Sequence, residues 1–390
     1  GSARGCGVGP RAGGGPTPRA LRPCSHEASR MRARRDLFGS LSTPIAPGRA
    51  AAIACALLVA GAGCGAGGGS GAQSGSPADS LPPHIRRLTD DGARPDWSHD
   101  GHRLLLLDGL VGDVFELEIA TGSRRPLTAH YPHAGYTRAL YLANGDILLA
   151  GPRKRDPDDP ERGRWNAELW VLDPSGETPA QPLGQPCFEG PAVSRRRMQI
   201  AWTLSDYPKR ILFGRSEIWT GEIESADGPP RLVRRRRLLR SGDVSRFAFL
   251  ETQNFRPPRD DELLFTAYGY RGGEVMGVHL KTGELRNYSR NWTYDEAEGV
   301  FPDGRSIAVE RNPRSFFLPG RVEIWRLALD ESGRSERLTH FTDYAGYGAS
   351  NPVVSDDGRT MAFQMYAEGE GYGSGRGLFL YDLTAAAASP

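Results

Sequence analysis

The sequence predicts an all-β chain built from one antiparallel unit used six times, on three observations. First, two short apolar strands repeatedly flank a turn pair. Residues 350–364 contain Asp357-Gly358, residues 298–309 contain Asp303-Gly304, and residues 95–106 contain Asp100-Gly101. Residues 140–149 turn at Asn144-Gly145, residues 189–202 lack the turn glycine, and residues 254–265 keep only the polar turn and the following strand. Second, each copy is followed by a strand of recurring form. These are Asp113-Val-Phe-Glu-Leu, Glu168-Leu-Trp-Val-Leu, Glu217-Ile-Trp-Thr, Glu274-Val-Met-Gly-Val, Glu323-Ile-Trp-Arg-Leu and Gly377-Leu-Phe-Leu-Tyr. Third, the paired markers recur about every 50 residues, the scale of one propeller blade. The expected fold is all-β, a six-bladed β-propeller of four-stranded antiparallel blades. The Asp-Gly and Asn-Gly pairs suit type I′ hairpins, because both positions tolerate positive φ.

Taken in order, the blades are expected over residues 85–128, 129–183, 184–232, 240–289, 290–339 and 340–383, inside one domain spanning 83–384, with a short tail at 385–390. The phrase Arg86-Arg87-Leu88-Thr89 recurs at Arg124-Arg125-Pro126-Leu127-Thr128 and at Arg337-Leu338-Thr339. Its appearance ahead of the first full repeat predicts ring closure, with residues 81–89 completing the last blade and removing the free sheet edges. Residues 153–164 alternate charge with proline and read as a solvated insertion. The run Arg231-Leu-Val-Arg-Arg-Arg-Arg-Leu-Leu-Arg240 carries six arginines. It is an anion site, or else an exposed edge strand or inter-blade loop kept soluble by charge; the second reading is preferred because basic runs are common and no aromatic residues interleave. The glycine-rich loop at 369–377 lacks a Gly-Lys-Ser/Thr ending and joins two strands, so it is no phosphate loop.

The charge balance narrows the partners. Lys and Arg total 49 against 47 Asp and Glu, a formal net charge of +2 over 390 residues. That gives no electrostatic footprint for nucleic acid, which is excluded as a partner. Residues 1–30 are rich in Gly, Pro, Arg and Ala without periodicity. They are either an over-extended gene start, with Met31 as initiator, or a disordered tail. Residues 31–63 read as a signal peptide: Arg32, Arg34 and Arg35 supply a positive start, and an apolar run follows at 50–63. That run is short of the roughly 20 residues a membrane span needs. Gly61-Ala62-Gly63-Cys64 resembles a bacterial lipoprotein box, in which the cysteine is acylated, although Gly61 stands where leucine is favoured. Residues 64–82 are then a lipid-anchored flexible linker, rich in Gly, Ser and Ala. Cys187 is the only cysteine beyond Cys64, so no disulfide is expected within the domain, and it reads as a small buried residue.

Pro95-Asp-Trp-Ser-His-Asp-Gly101, Phe301-Pro-Asp-Gly304 and Ser355-Asp-Asp-Gly358 resemble the TolB-like propeller repeat, whose phrase is Pro-x-Trp/Phe-Ser-Pro-Asp-Gly followed by an apolar strand and an Ile-Trp strand. The resemblance covers about 300 residues. It implies a six-bladed propeller in an exported bacterial protein. It also implies one of three roles: protein-binding module, non-catalytic peptidase domain, or carbohydrate-active enzyme such as oligogalacturonate lyase. The chain contains no Gly-x-Ser-x-Gly elbow, which argues against a serine peptidase.

In a propeller the residues entering the inner strands converge on the central channel. Aligning the repeats places Arg94, Glu189, Gln253, Asn254, Glu298 and Asn351 there as candidate ligand-binding residues. The bland alternative is a hydrated channel with polar walls. The lyase reading needs a divalent metal to neutralise a uronate carboxylate and acidify the neighbouring C–H. The resemblance implies histidines and a glutamine on that metal, and here His130, His133 and Gln253 are the counterparts. Aromatic residues near the same entries, Tyr131, Tyr136, Phe188, Trp292, Tyr294, Tyr344 and Tyr347, suit either sugar stacking or packing between blades. The primary expectation is a monomeric, exported, periplasmic or cell-surface lipoprotein that binds an envelope protein or a glycan and needs no cofactor. The alternative is a metal-dependent uronide lyase.

Overall fold

Four of the repeats turn on a glycine alone. In the computed structural model Gly101, Gly145, Gly304 and Gly358 have φ between 66° and 92°, while none of the preceding Asp or Asn residues is left-handed. The turns are therefore not type I′. Gly101 N–H donates to Ser98 O at 3.1 Å, and Asp100 Oδ1 accepts from His102 N–H at 3.0 Å and Ser98 Oγ at 2.5 Å. Asp357 repeats this with Arg359 N–H and Ser355 Oγ. The aspartate is selected as an acceptor that ties down a wider loop, not for tolerance of positive φ.

The structure describes residues 72–206, 215–225, 228–316, 319–370 and 375–386. The leader, the signal segment and Cys64 lie outside the described residues. Strand β1 (Ile85–Arg87) comes first in the chain. The first four-stranded antiparallel group is β2 (Ala93–Trp97), β3 (Arg103–Leu107), β4 (Val114–Glu118) and β5 (Arg124–Pro126). The second is β6 (Arg138–Tyr141), β7 (Ile147–Gly151), β8 (Ala167–Leu172) and the opening of the long β9 (Gln181–Val193). The end of β9 starts the third, with β10 (Gln199–Ser205), β11 (Ser216–Glu224) and β12 (Arg231–Arg240). Then follow β13 (Phe249–Phe255), β14 (Glu262–Tyr268), β15 (Gly273–His279) and β16 (Leu285–Asn287). A fifth set is β17 (Tyr294–Val300), β18 (Ser306–Asn312), β19 (Glu323–Ala328) and β20 (Ser335–Arg337). The last is β21 (Tyr347–Val354), β22 (Thr360–Ala367) and β23 (Leu378–Asp382), and β1 completes it by pairing antiparallel with β23.

Two details differ from expectation. The arginine run is strand β12, the outer strand of the third group, so that unit extends to Arg240 rather than ending at 232. Ordered packing also starts earlier than residue 83. Gln73 bridges Tyr344 in parallel, and Ala78 and Leu81 pack against the apolar cluster around Phe341 and Phe379.

The apolar core is divided into wedges between successive groups. Leu105 and Leu107 face Ala139, Ile147 and Leu149, while Leu104 and Leu106 point the other way, toward Leu380 and Leu378. That is why Leu104–Leu107 is uninterrupted leucine: a strand covered on both faces carries no polar alternation. The same arrangement joins Leu148 to Trp202, Ala201 to Phe265, Leu264 to Val309, and Ala308 to Phe363. The first strands of the groups, β2, β6, β9, β13, β17 and β21, touch one another in sequence, and β21 touches β2. Antiparallel sheets standing side by side around a common axis, with their first strands innermost, form a β-propeller.

Candidate functional site

Five of the six inner strands carry a β-bulge at the corresponding point. The pairing registers slip between Ala93 and Asp96, between Phe188 and Ala192, at Gln253, at Glu298, and between Ser350 and Val353. A bulge leaves a residue unpaired and re-aims its side chain. Five of the six residues predicted from sequence, Arg94, Glu189, Gln253, Glu298 and Asn351, sit at these slips, while Asn254 follows Gln253 and pairs in register with Leu264. Three of them hold left-handed backbone despite having side chains, Arg94 at φ 55°, Glu189 at 54° and Asn351 at 50°. Such strain costs about 1–3 kcal/mol per residue and persists only where the surroundings enforce it.

For Arg94 and Asn351 the surroundings do so through a polar device the sequence reading missed. The fifth residue of the second strand is polar in four groups: Thr203, Thr266, Glu310 and Gln364. Each accepts a backbone N–H from the next inner strand. Gln364 Oε1 takes Arg94 N–H at 2.7 Å, and Glu310 Oε1 takes Asn351 N–H at 2.7 Å. Thr203 Oγ1 takes Thr252 N–H at 3.1 Å, and Thr266 Oγ1 takes Ala297 N–H at 2.9 Å. For Thr203, Thr266 and Gln364 the detectable signal is one polar residue inside an otherwise apolar stretch of strand.

The side chains then link across the axis. Arg94 Nη1 donates to Thr137 O at 2.8 Å and lies 3.6 Å from Glu189 Oε2; Arg164 also pairs with Glu189. Arg138, on the inner strand that has no bulge, donates to Asn351 Oδ1 at 2.7 Å. Burial pushes the Arg94 guanidinium down to about 9, aided by the nearby charges of Arg138 and Arg164. Burial would raise Glu189, but Arg164 and Arg94 outweigh it and hold its carboxyl below the usual value. Glu251, Glu298 and Glu310 go the other way. Burial raises all three, with Glu189 and Glu296 adding repulsion on Glu251, Glu310 on Glu298, and Glu296 on Glu310, which reaches about 8. Tyr268 OH donates to Glu251 Oε2 at 3.1 Å, and Tyr294 OH donates to Glu296.

A cavity of about 230 Å³ lies along the channel, lined among others by Arg94, Arg138, Gln253, Asn254 and Glu298. Several polar atoms here are buried without a partner: Arg94 Nε, Gln253 Nε2 and Asn254 Oδ1. Glu189 and Asn351 support the lining from behind through Arg94 and Arg138.

The cavity is also lined by Arg195, which the sequence did not single out. From the β9–β10 turn it holds Asp356 through Nε at 2.9 Å and Nη2 at 3.1 Å, and donates to Trp97 O at 2.8 Å. His99 Nδ1 lies 3.0 Å from Asp356 Oδ2 and Nε2 lies 2.8 Å from Leu142 O. Both neighbours only accept, so both ring nitrogens carry hydrogen, and the hydrogen bond to Asp356 raises the His99 pKa. Burial pushes Asp96, also near Arg195, up to about 6.

The predicted metal donors are not brought together. Gln253 lines the cavity; His130 and His133 do not. His133 Nδ1 accepts Gly135 N–H at 2.9 Å and Nε2 donates to Asp113 Oδ1 at 2.8 Å, so neither nitrogen is free. Among the described residues no three His, Cys, Asp or Glu side chains are arranged to hold a metal ion. The donor set does not fit the implied metal, and no chemistry is routed through it. Cys187 is buried and its thiol is raised by burial. Phe188 packs between Trp165 and Phe249, and Tyr294 stacks on Tyr268, so these aromatics serve contacts between groups. Trp292, stacked on Phe316, stays 64% exposed.

Neither a family model nor a curated protein sequence matches the chain. Solved structures with a similar layout include TolB from Acinetobacter baumannii, at 16% identity over 77% of this chain and 65% of that one, with a TM-score of 0.41. The chain thus spans less than two thirds of that protein's length. An oligogalacturonate lyase in complex with manganese aligns at 12% identity over 72% of this chain and 74% of that one, TM-score 0.46. A gluconolactonase from Xanthomonas campestris aligns at 13% over 76% and 88%, TM-score 0.45. Identities this low, with TM-scores under 0.5, assign no function to this chain.

Proposed function

We propose that the chain is an exported, six-bladed β-propeller that works as a monomeric binding module of the cell envelope, taking a protein or a glycan at its channel cavity. Six four-stranded groups, the pairing of β1 with β23 and the six apolar wedges support the blade count. The signal-like segment at 31–63 and the lipoprotein-like Cys64 support export and anchoring. The observation that carries the binding reading is the bulged ring itself. Three non-glycine residues are held in left-handed backbone around a cavity whose buried Arg94 Nε, Gln253 Nε2 and Asn254 Oδ1 lack protein partners. A channel kept merely wet gains nothing from backbone strain at three corresponding places, whereas a preorganised site does.

The test is capture from an envelope extract by the full chain, beside a Gln253→Leu, Asn254→Leu double variant. Both side chains are only partly buried, so the fold tolerates the change. A defined protein or glycan retained by the wild type and lost from the variant is expected. Equal recovery by both would overturn the channel reading.

A further inference from the structure

The unpartnered atoms of the residues that line the cavity have a chemical bias. Arg94 Nε and Gln253 Nε2 are hydrogen-bond donors, and the residue carrying the first is 4% exposed. Arg138 lines the same cavity; its guanidinium donates to the neutral amide of Asn351, and among the described residues no carboxylate oxygen lies within 4 Å of it, although its charge acts at longer range on Glu251, Glu298 and Glu310. The acids that share the lining are already engaged. Asp96 accepts Tyr141 N–H at 2.8 Å, Asp356 holds Arg195 and His99, and Asp260 Oδ2 accepts Ser194 Oγ at 2.7 Å. Glu298 is the remaining acid, and burial beside Glu310 favours its neutral, donating form. Among the described lining residues the unpartnered acceptor is Asn254 Oδ1, next to Gln253 on the same strand.

We propose that this cavity is a carboxylate site, in which Arg94, Arg138 and Gln253 bind the anion and Asn254 accepts a hydroxyl or amide N–H on the adjoining carbon. The assignment rests on the reading of the channel as a binding site and names the chemistry it selects. Arginine is suited to a carboxylate because its planar fork presents parallel N–H groups. At about 230 Å³ the cavity lies below the roughly 300–1,000 Å³ of an ordinary small-molecule site, so it admits the end of a ligand and not a folded chain. A carboxylate with a neighbouring polar group occurs in an acidic sugar and at a peptide C-terminus, and both present the same face to these residues.

Two matched pairs separate the sources: D-glucuronate against D-glucose, and N-acetyl-alanine against N-acetyl-alanine amide. Affinities are read by ligand-observed NMR on the full chain, the Arg138→Gln variant and the Gln253→Leu variant. Arg138 is half-buried and makes no ion pair, so its loss is not expected to unfold the protein; melting curves check this. In at least one pair the acid is expected to bind about tenfold or more tightly than its neutral partner, the scale of one charge-assisted hydrogen bond. That preference should vanish in Arg138→Gln. Acid and neutral members binding equally would overturn the carboxylate assignment and leave the channel reading standing. Silence from all four probes would also overturn it, and the capture experiment would then decide the channel reading separately.

Discussion

Glu310 accepts a backbone N–H from the strained Asn351, is 7% exposed, and is pushed up from about 4.5 to about 8. Between those values the folded chain keeps a proton that the unfolded chain has released. Its stabilising contribution is full below about 4.5 and is lost as pH rises through about 8, at up to about 1.4 kcal/mol per pH unit. Glu251 and Glu298 are raised in the same direction. Glu310→Gln keeps the acceptor and removes the titration. The wild-type melting temperature should therefore fall more steeply from pH 5 to pH 8 than that of Glu310→Gln; parallel profiles would show that Glu310 does not hold this proton. At this scale the sequence was only partly legible. Arg94, Glu189, Gln253, Asn254, Glu298 and Asn351 could be found because proline, glycine or a turn marks each bulge. Glu310 could not, because nothing in the local pattern of its strand says which face a polar residue meets. Arg138 stands on an unbulged strand, and Arg195 sits in a run of three arginines where only the tertiary fold picks out one.

At the scale of elements, closure depends on a three-residue strand. Ile85 in β1 is 5% exposed and packs with Phe341, Phe379 and Tyr381, joining the start of the domain to its last strand. Ile85→Ala should lower stability by about 2–4 kcal/mol, seen as a lower urea midpoint with an unchanged slope. A loss under about 0.5 kcal/mol, the range of an ordinary surface change, would mean that β1 does not clasp the ring. The repeated Arg-Leu-Thr phrase announced this strand because closure reuses the sequence of an outer strand. The turn type was misjudged for a physical reason: Asp before Gly serves a type I′ hairpin and an aspartate-tied loop equally well, and only φ separates them. Strand β12 manages its exposed edge as the charge reading expected. Arg234 pairs with Glu222, Arg237 and Arg240 pair with Glu217, and Arg234 adds a left-handed kink.

Across the whole molecule, the wedges give rigidity while the channel concentrates polar cost. A buried polar atom without a partner costs about 1–3 kcal/mol, and three such atoms, Arg94 Nε, Gln253 Nε2 and Asn254 Oδ1, belong to residues that line the cavity. The histidine and glutamine pairing was misleading because sequence proximity to a strand entry does not specify which side of the sheet a loop occupies; His133 is spent on Asp113. The central claim is that the cavity, not the outer rim, meets the partner. The most direct measurement is in-cell photocrosslinking with a small diazirine amino acid replacing Asn254, compared with the same residue replacing Arg125 on the outer strand β5. A discrete adduct from position 254 and none from position 125 is predicted. Adducts from position 125 alone, or equal adducts from both, would contradict the account.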